Sequence, residues 1–297
     1  PDWDVFGIAG EHMREAGVRA LIPAEDMAFM GFVEVIRNLG QVRRAFVAIK
    51  KAFKTEKPDA VILIDYPGFN LRVAKIAKRL NIPVLYYISP QIWAWKKGRI
   101  HDIKRDVDHM AVDFPFEVAM YEKANVPVTF VGSPLLDQVK CDLSQMEARE
   151  RLGLKPGVKT VALMPGSRKT EIRRMLPVMI ASAKKLQAKC KTIQWILPIA
   201  DTLKESDLTP FFDNNVSIRC IKQATYDAIR ASDAVMCASG TATLEVALLG
   251  TPLVVLYKMH PLSFQIIKRL ISIDTIGLCN IVAEKNLARE FVQSDAS

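Results

Sequence analysis

Ala234-Val235-Met236-Cys237-Ala238-Ser239-Gly240-Thr241-Ala242-Thr243-Leu244-Glu245 is the stretch on which the reading of this chain turns. Ala234 to Cys237 is an apolar run of strand length. Small residues follow, then an apolar helix from Leu244 to Leu249, then a second strand, Leu253–Tyr257. A strand that passes through small residues into a helix leaves backbone N–H groups free at the positive end of a helix dipole, which is a site for an anion. Glu245 falls one turn inside, within reach of the hydroxyls of whatever carries that anion. A tight turn with Ser and Thr as helix caps reads equally well from this stretch alone.

Outward from it, short apolar runs alternate with amphipathic stretches. Strands are expected at Val5–Ile8, Ala60–Ile64, Val84–Ile88, His109–Val112 and Val128–Val131. A second series follows at Thr160–Met164, Gln194–Pro198, Val216–Ile218, Ala234–Cys237 and Leu253–Tyr257. Phe69–Leu80, Phe116–Ala124 and Ile172–Ala188 carry helical periodicity. Near-continuous apolar strands between helices imply parallel sheets covered on both faces. Two series imply an α/β chain of two doubly wound domains, with the boundary between Gly132 and Val158. The expected domains are residues 1–140 and 141–297. Ligands of open parallel sheets bind beyond the carboxyl ends of the strands, so the chemistry is expected just after strands, in a cleft that the domains face.

A length of 297 residues suits two domains of roughly 150. Half of the residues are hydrophobic, which provides for real cores. The net charge of +9 favours an anionic partner, namely nucleic acid, an acidic membrane surface or a phosphorylated substrate; a solvated basic surface reads as well from charge alone. Nucleic acid is disfavoured by the lack of a recognition-helix motif or a long basic run. Cys141, Cys190, Cys220, Cys237 and Cys279 are scattered without CxxC spacing, as expected of small core thiols in a reducing compartment. No apolar run approaches the ~20 residues needed to cross a bilayer. The opening Asp4-Val5-Phe6-Gly7-Ile8-Ala9-Gly10 is already strand and turn, so an upstream element is expected.

Four further segments carry chemistry. Thr160–Met164 runs into Pro165-Gly166-Ser167-Arg168 and then a helix. Gly166 lets backbone approach a ligand closely, Ser167 and the N–H groups behind it suit an anion, and Arg168 offers a planar fork for a diphosphate. Neither this loop nor the Ser239 loop matches GxGxxG or GxxxxGK[ST], which disfavours dinucleotide oxidoreductases and P-loop enzymes. Val61–Ile64 ends in Asp65-Tyr66-Pro67-Gly68-Phe69-Asn70, where Asp65 is placed as a general base or as a helix cap. Ser89-Pro90-Gln91-Ile92-Trp93-Ala94-Trp95-Lys96-Lys97-Gly98-Arg99 interleaves aromatics with cations, which suits rings and phosphates or a membrane surface; tryptophans as core anchors beneath solvated cations is the alternative. Phe29-Met30-Gly31-Phe32-Val33, followed by Ile36, Val42, Arg43, Arg44, Phe46, Val47, Lys50, Lys51 and Phe53, mixes apolar and cationic residues at helical spacing. It reads as a surface that docks on an anionic bilayer, or as a helix packed on the sheet with a wet basic face. Asp106-Val107-Asp108 does not follow a strand and is discounted as a metal motif. The four histidines lack metal spacing.

In sequence order, these segments resemble the lipid-A-disaccharide synthases, inverting glycosyltransferases of the GT-B type. The matching stretches are Gly7–Gly10, Met30–Val35, Ile64–Asn70, Ser89–Trp95, Phe114-Pro115-Phe116-Glu117, Gly166 with its neighbours in Pro165–Arg168, Ala238–Glu245 and Leu278-Cys279-Asn280. The resemblance implies two Rossmann-like domains and the joining of UDP-2,3-diacylglucosamine to 2,3-diacylglucosamine 1-phosphate (lipid X) through a β-1′,6 bond, with release of UDP. It implies Asp65 as base. It implies Gly166, Ser167, Arg168, Ser239, Gly240, Thr241, Glu245 and Asn280 as the UDP site. Met30, Phe32, Val33, Trp93, Trp95, Lys96 and Arg99 would face acceptor and membrane. No cofactor or metal is expected, because two helix N-termini and Arg168 can hold the departing diphosphate. The resemblance further implies a peripheral enzyme on the cytoplasmic side of the inner membrane and a homodimer exchanged through closing helices beyond Ser297. The rivals are a UDP-N-acetylglucosamine 2-epimerase and a non-catalytic UDP-sugar-binding protein.

Overall fold

The computed structural model describes residues 3–27, 38–190, 192–213, 215–258 and 275–293. The chain divides into two compact units, Pro1–Val131 and Gly132–Ser297. The break in the strand–helix pattern places the boundary between Gly132 and Val158, with domains of 1–140 and 141–297. Packing assigns residues 132–140 to the second unit, because Val139 and Leu135 join its core.

In the first unit, β1 (Phe6–Ala9) pairs in parallel with β2 (Arg19–Pro23). A four-stranded parallel sheet holds β3 (Val61–Ile64), β4 (Val84–Tyr87), β5 (His109–Val112) and β6 (Val128–Phe130) in chain order. Val61 and Leu63 of β3 turn into the core, whereas Ile62 and Ile64 are exposed. Helix Leu39–Thr55 buries Ala45, Ile49, Ala52 and Phe53 and stacks Phe46 on Phe69 with ring centroids 4.3 Å apart. Over these residues the packed alternative holds: one apolar face lies on the core and the cations face outward. Met30, Phe32 and Val33 lie outside the described residues.

The second unit is a six-stranded parallel sheet of β7 (Lys159–Met164), β8 (Ile193–Ile199), β9 (Ile218–Lys222), β10 (Ala234–Ala238), β11 (Leu253–Tyr257) and β12 (Arg289–Val292). Its spatial order is β12-β11-β10-β7-β8-β9. Both faces are covered, as the apolar runs require. Leu163, Trp195, Leu197 and Met236 pack one way, against Ile172, Leu176 and Met179 of helix Lys169–Lys189. Ala162, Ile196, Val235 and Cys237 pack the other way, with Ala148, Ile229 and Val246.

Three strands differ from expectation. β9 covers residues 218–222 rather than 216–218, and β2 and β12 were not expected at all. β9 and β12 are the sheet's edge strands, where Arg219, Lys222, Arg289 and Glu290 break the apolar run. β2 belongs to a two-stranded pair with Arg19 exposed.

Candidate active site

Read in chain order, the six strands of the second sheet stand as 3-2-1-4-5-6, the dinucleotide-fold order. Its direction reverses between β7 and β10, which are hydrogen-bonded neighbours with Met164 opposite Cys237. Helices depart to opposite faces there, which leaves a crevice at the carboxyl ends, the general ligand position of such sheets. Pro165–Arg168 leaves β7 and Ser239–Thr241 leaves β10 at that point. The two loops singled out in the sequence are therefore brought side by side.

Gly166 has a φ of +113°, and a Cβ there would lie 2.7 Å from the Cβ of Glu171. Only glycine fits without a shift. The Glu171 carboxylate folds back over the loop, accepting from the Ser167 N–H at 3.0 Å and from the Arg168 guanidinium at 2.7 Å. Thr202 donates its hydroxyl to the Ser167 carbonyl at 2.6 Å. An internal carboxylate thus occupies the donors expected to meet a diphosphate. Sequence reasoning missed Glu171. The available signal was an acid in the first turn of the helix, three residues after the Arg168 N-cap.

The β10 loop differs in detail from its expectation. Ser239 gives its N–H to the Leu256 carbonyl (3.0 Å) and its hydroxyl to the Ile276 carbonyl (2.7 Å), so it ties the loop down. Gly240, Thr241 and Ala242 keep backbone N–H groups without a backbone acceptor among the described residues. Thr243, not Thr241 or Ser239, closes the turn, through a 2.8 Å bond to the Gly240 carbonyl. Glu245 is half-buried, and that burial raises its carboxyl above the usual range. Asn280 is held internally. Its side chain is buried, donating to the Ala288 carbonyl (2.8 Å) and to Glu290 (2.7 Å) and accepting from the Ala288 N–H (2.8 Å). With that amide engaged, Asn280 supports the turn before β12.

In the first unit, Asp65 follows β3 and extends its pairing through its N–H to the Tyr87 carbonyl (3.0 Å). Its carbonyl accepts from Asn70 and from the Tyr86 hydroxyl, each at 2.7 Å. Asp65 and Tyr66 both take left-handed backbone, φ 44° and 45°, as does Ile88 after β4, φ 60°. For a β-branched residue that is costly, and such strain gathers at functional edges. The Asp65 side chain is exposed and accepts no hydrogen bond among the described residues. Helix Pro67–Arg79 has Tyr66 as its N-cap, with no side-chain bond. The carboxylate is therefore not spent as a cap.

The tryptophans divide the two readings of their segment. Trp93 is an anchor: its indole donates to Glu117 at 3.2 Å and meets Phe116 edge to face at 5.4 Å. Trp95 is 44% exposed, with Lys96 and Arg99 over its ring at 4.4 and 5.4 Å. Beneath lies a group that sequence reasoning did not single out. Glu117 is buried, and burial first, then the nearby negative charge of Asp113, pushes its carboxyl up to about 7. Asp113, just past β5, is itself raised by burial and by the charge of Asp65. The signal was Phe114–Glu117 directly following a strand.

Asp106 and Asp108 are absorbed structurally. Asp106 pairs with Arg105 at 2.6 Å, and Asp108 binds Lys78 and the Val84 N–H.

Comparison with known proteins is consistent with this arrangement. The family model described as lipid-A-disaccharide synthetase matches residues 1–297. Curated lipid-A-disaccharide synthases from Trichlorobacter lovleyi and Coxiella burnetii are 49% and 45% identical, each over 100% of this chain and 78% of the relative. One from Nitrosococcus oceani is 48% identical over 98% of this chain and 76% of its own length. Among solved structures, S. aureus MnaA with UDP has a TM-score of 0.56 at 10% identity, covering 94% of this chain and 86% of that one. The Neisseria meningitidis UDP-GlcNAc 2-epimerase bound to UDP-GlcNAc has a TM-score of 0.55 at 11% identity, with 94% and 90% covered. At such identity these two speak for the fold alone, a Rossmann-like GT-B architecture. The sequence relationships are far closer and run the length of the chain, and they settle the family: the chain belongs to the lipid-A-disaccharide synthases.

Proposed function

We propose that the chain transfers 2,3-diacylglucosamine from UDP to the 6-hydroxyl of 2,3-diacylglucosamine 1-phosphate, forming a β-1′,6 bond with inversion and releasing UDP. Family membership supports the reaction. The observation that carries the site is the pairing of two small-residue loops at the switch point between β7 and β10. In this reading the UDP diphosphate meets the N–H groups of Gly240 and Thr241, the backbone at Gly166 and Ser167, and the Arg168 guanidinium. Glu245 takes a hydroxyl of the nucleotide sugar, and Ser239 and Asn280 hold the loops in shape.

Asp65 takes the proton of the 6-hydroxyl as its oxygen attacks the anomeric carbon, and the bond to the diphosphate breaks on the opposite face. The diphosphate gains charge as it leaves. Each fixed donor aimed at such an oxygen is worth ~3 kcal/mol, so the loop amides and Arg168 together can carry that charge without a metal ion. Trp93, Trp95, Lys96 and Arg99 form the acceptor side, with Trp95 and its two cations set against an anionic, cytoplasm-facing membrane surface.

The test is UDP release by purified enzyme with and without the lipid acceptor. Release is expected only with acceptor and undiminished in excess EDTA. Asp65→Asn is expected to lower kcat by about 10²- to 10⁴-fold while leaving the Kd for UDP unchanged. Release without acceptor, or an Asp65→Asn variant of normal kcat, overturns the reading.

A further inference from the structure

Glu117 is 1% exposed, at the start of helix Phe116–Lys123, just beyond the carboxyl end of β5. One carboxyl oxygen, Oε1, accepts the Trp93 indole N–H at 3.2 Å. The other, Oε2, is buried with no hydrogen-bond partner among the described residues. Its neighbours come from three elements. From the segment after β4 come Trp93 and Ser89, the latter sharing a 2.8 Å bond with the Tyr121 hydroxyl of Glu117's own helix. From the end of β5 comes Asp113, in turn within the field of Asp65 after β3. Arg99 acts on the Tyr86 hydroxyl of β4.

A buried carboxylate with an unpartnered oxygen and a negative neighbour is expensive even with Trp93, Ser89 and the Phe114 backbone beside it, whereas the neutral acid needs far less solvation. Burial and the Asp113 charge accordingly hold the carboxyl protonated up to about pH 7. What Glu117 grips matters. Trp93 is the anchor of the segment whose exposed end carries Trp95, Lys96 and Arg99. The edge-to-face pair of Trp93 with Phe116 and the stacking of Phe116 on Phe114 at 5.6 Å complete the mount. Ser89, Ile92 and Ala94 are buried along the same segment, so displacement of Trp93 moves the whole of it.

We propose that Glu117 is a positioning residue for the acceptor side of the site, holding the Ser89–Lys96 segment through the Trp93 indole as the neutral acid. On ionisation the Oε2 atom demands water, the mount loosens, and Trp95 with its cations leaves the arrangement that receives the acceptor. The inference rests on the acceptor-side reading of this segment proposed above.

The test is the KM of each substrate between about pH 5.5 and 8.5 for the enzyme, Glu117→Gln and Glu117→Ala. Acceptor KM of the unaltered enzyme is expected to rise as pH passes about 7, with donor KM flat. Glu117→Gln, a permanently neutral acceptor for the Trp93 N–H, should keep a low acceptor KM at every pH. Glu117→Ala should raise acceptor KM about tenfold throughout, with a smaller change in kcat. A flat acceptor KM in the unaltered enzyme, or a Glu117→Gln variant as impaired as Glu117→Ala, overturns the proposal. A pH-dependent donor KM abolished by Glu117→Gln would keep the positioning role and overturn the acceptor-side reading instead. Should Glu117→Ala fail to fold, the pH profile of Glu117→Gln decides alone.

Discussion

An added methyl on Gly166 would press against the Glu171 side chain on a backbone with φ of +113°. Gly166→Ala is expected to cost about 1–3 kcal/mol in urea denaturation. Gly40→Ala, where nothing among the described residues lies within 4 Å and the residue is the second of helix Leu39–Thr55, should be neutral or gain up to ~1 kcal/mol. In the proposed site Glu171 would compete with the diphosphate for the Ser167 N–H and Arg168, both of which it holds. Glu171→Gln gives up these donors more readily, so calorimetry should show UDP binding tightened by about three- to tenfold, on the order of 1 kcal/mol; weaker binding would make Glu171 a support of the loop instead. For Glu117 the sign follows from a folded carboxyl raised from 4.5 to about 7. The native state then holds its proton longer than the unfolded chain, so stability is lost as pH rises from about 4.5 to about 7 and is level above. Relative to Glu117→Gln, the unaltered protein should lose about 3 kcal/mol across that window, read as the difference between two denaturation series. The contrast among these residues shows what a sequence discloses. Asp65, Gly166 and Arg168 follow apolar runs and are visible by position. Glu171 and Glu117 act by folding back or by being buried beside Asp113; the sequence signals only an acid at the start of a helix, and reports neither the fold-back nor the burial.

Element by element, legibility tracks burial. β7, β8, β10 and β11 lie inside the sheet and read as continuous apolar runs, whereas β9 and β12 sit at its edges and carry Arg219, Lys222, Arg289 and Glu290. The 3-2-1-4-5-6 order is not legible at all, because it depends on pairings such as Met164 with Cys237 that are distant in the chain. Yet that order turns two separate loop motifs into one crevice. Helix Leu278–Ala283 shows how an element is held for the benefit of another. Glu290 of β12 accepts the N–H groups of Ile276 and Gly277 at 2.8 and 2.9 Å, Asn280 locks onto Ala288 and Glu290, and Ser239 reaches back to the Ile276 carbonyl. Asn280→Ala would leave the Ala288 N–H and a Glu290 oxygen short of partners, a loss of about 2–4 kcal/mol by thermal or chemical denaturation. If Asn280 is a support, the Kd for UDP should stay within about threefold. A loss of UDP affinity above about tenfold at unchanged stability would restore it as a direct contact.

Over the whole molecule the charge is +9, and no helix among the described residues is long and apolar enough to cross a membrane. The proposed substrate carries acyl chains, and the proposed function places its capture at a bilayer surface. The described surface offers one means, an exposed Trp95 flanked by Lys96 and Arg99, with an indole that suits the headgroup level and cations that suit anionic lipid. Each such cation is worth about 1 kcal/mol near an anionic surface, falling off within a Debye length of ~10 Å at moderate salt. Reversing Lys96 and Arg99 together to Glu therefore removes two attractions and adds two repulsions, on the order of 4 kcal/mol in all. Sedimentation with phosphatidylglycerol vesicles should fall by about two orders of magnitude or more at low salt, and by much less at about 1 M salt, where the charges are screened. Trp95→Ala should weaken binding at both salt concentrations alike, because the ring contributes by burial rather than by charge. If the double reversal leaves sedimentation unchanged, the basic excess acts through another face. Retention by neutral phosphatidylcholine vesicles equal to that by anionic ones would show that charge is not what brings the enzyme to the lipid.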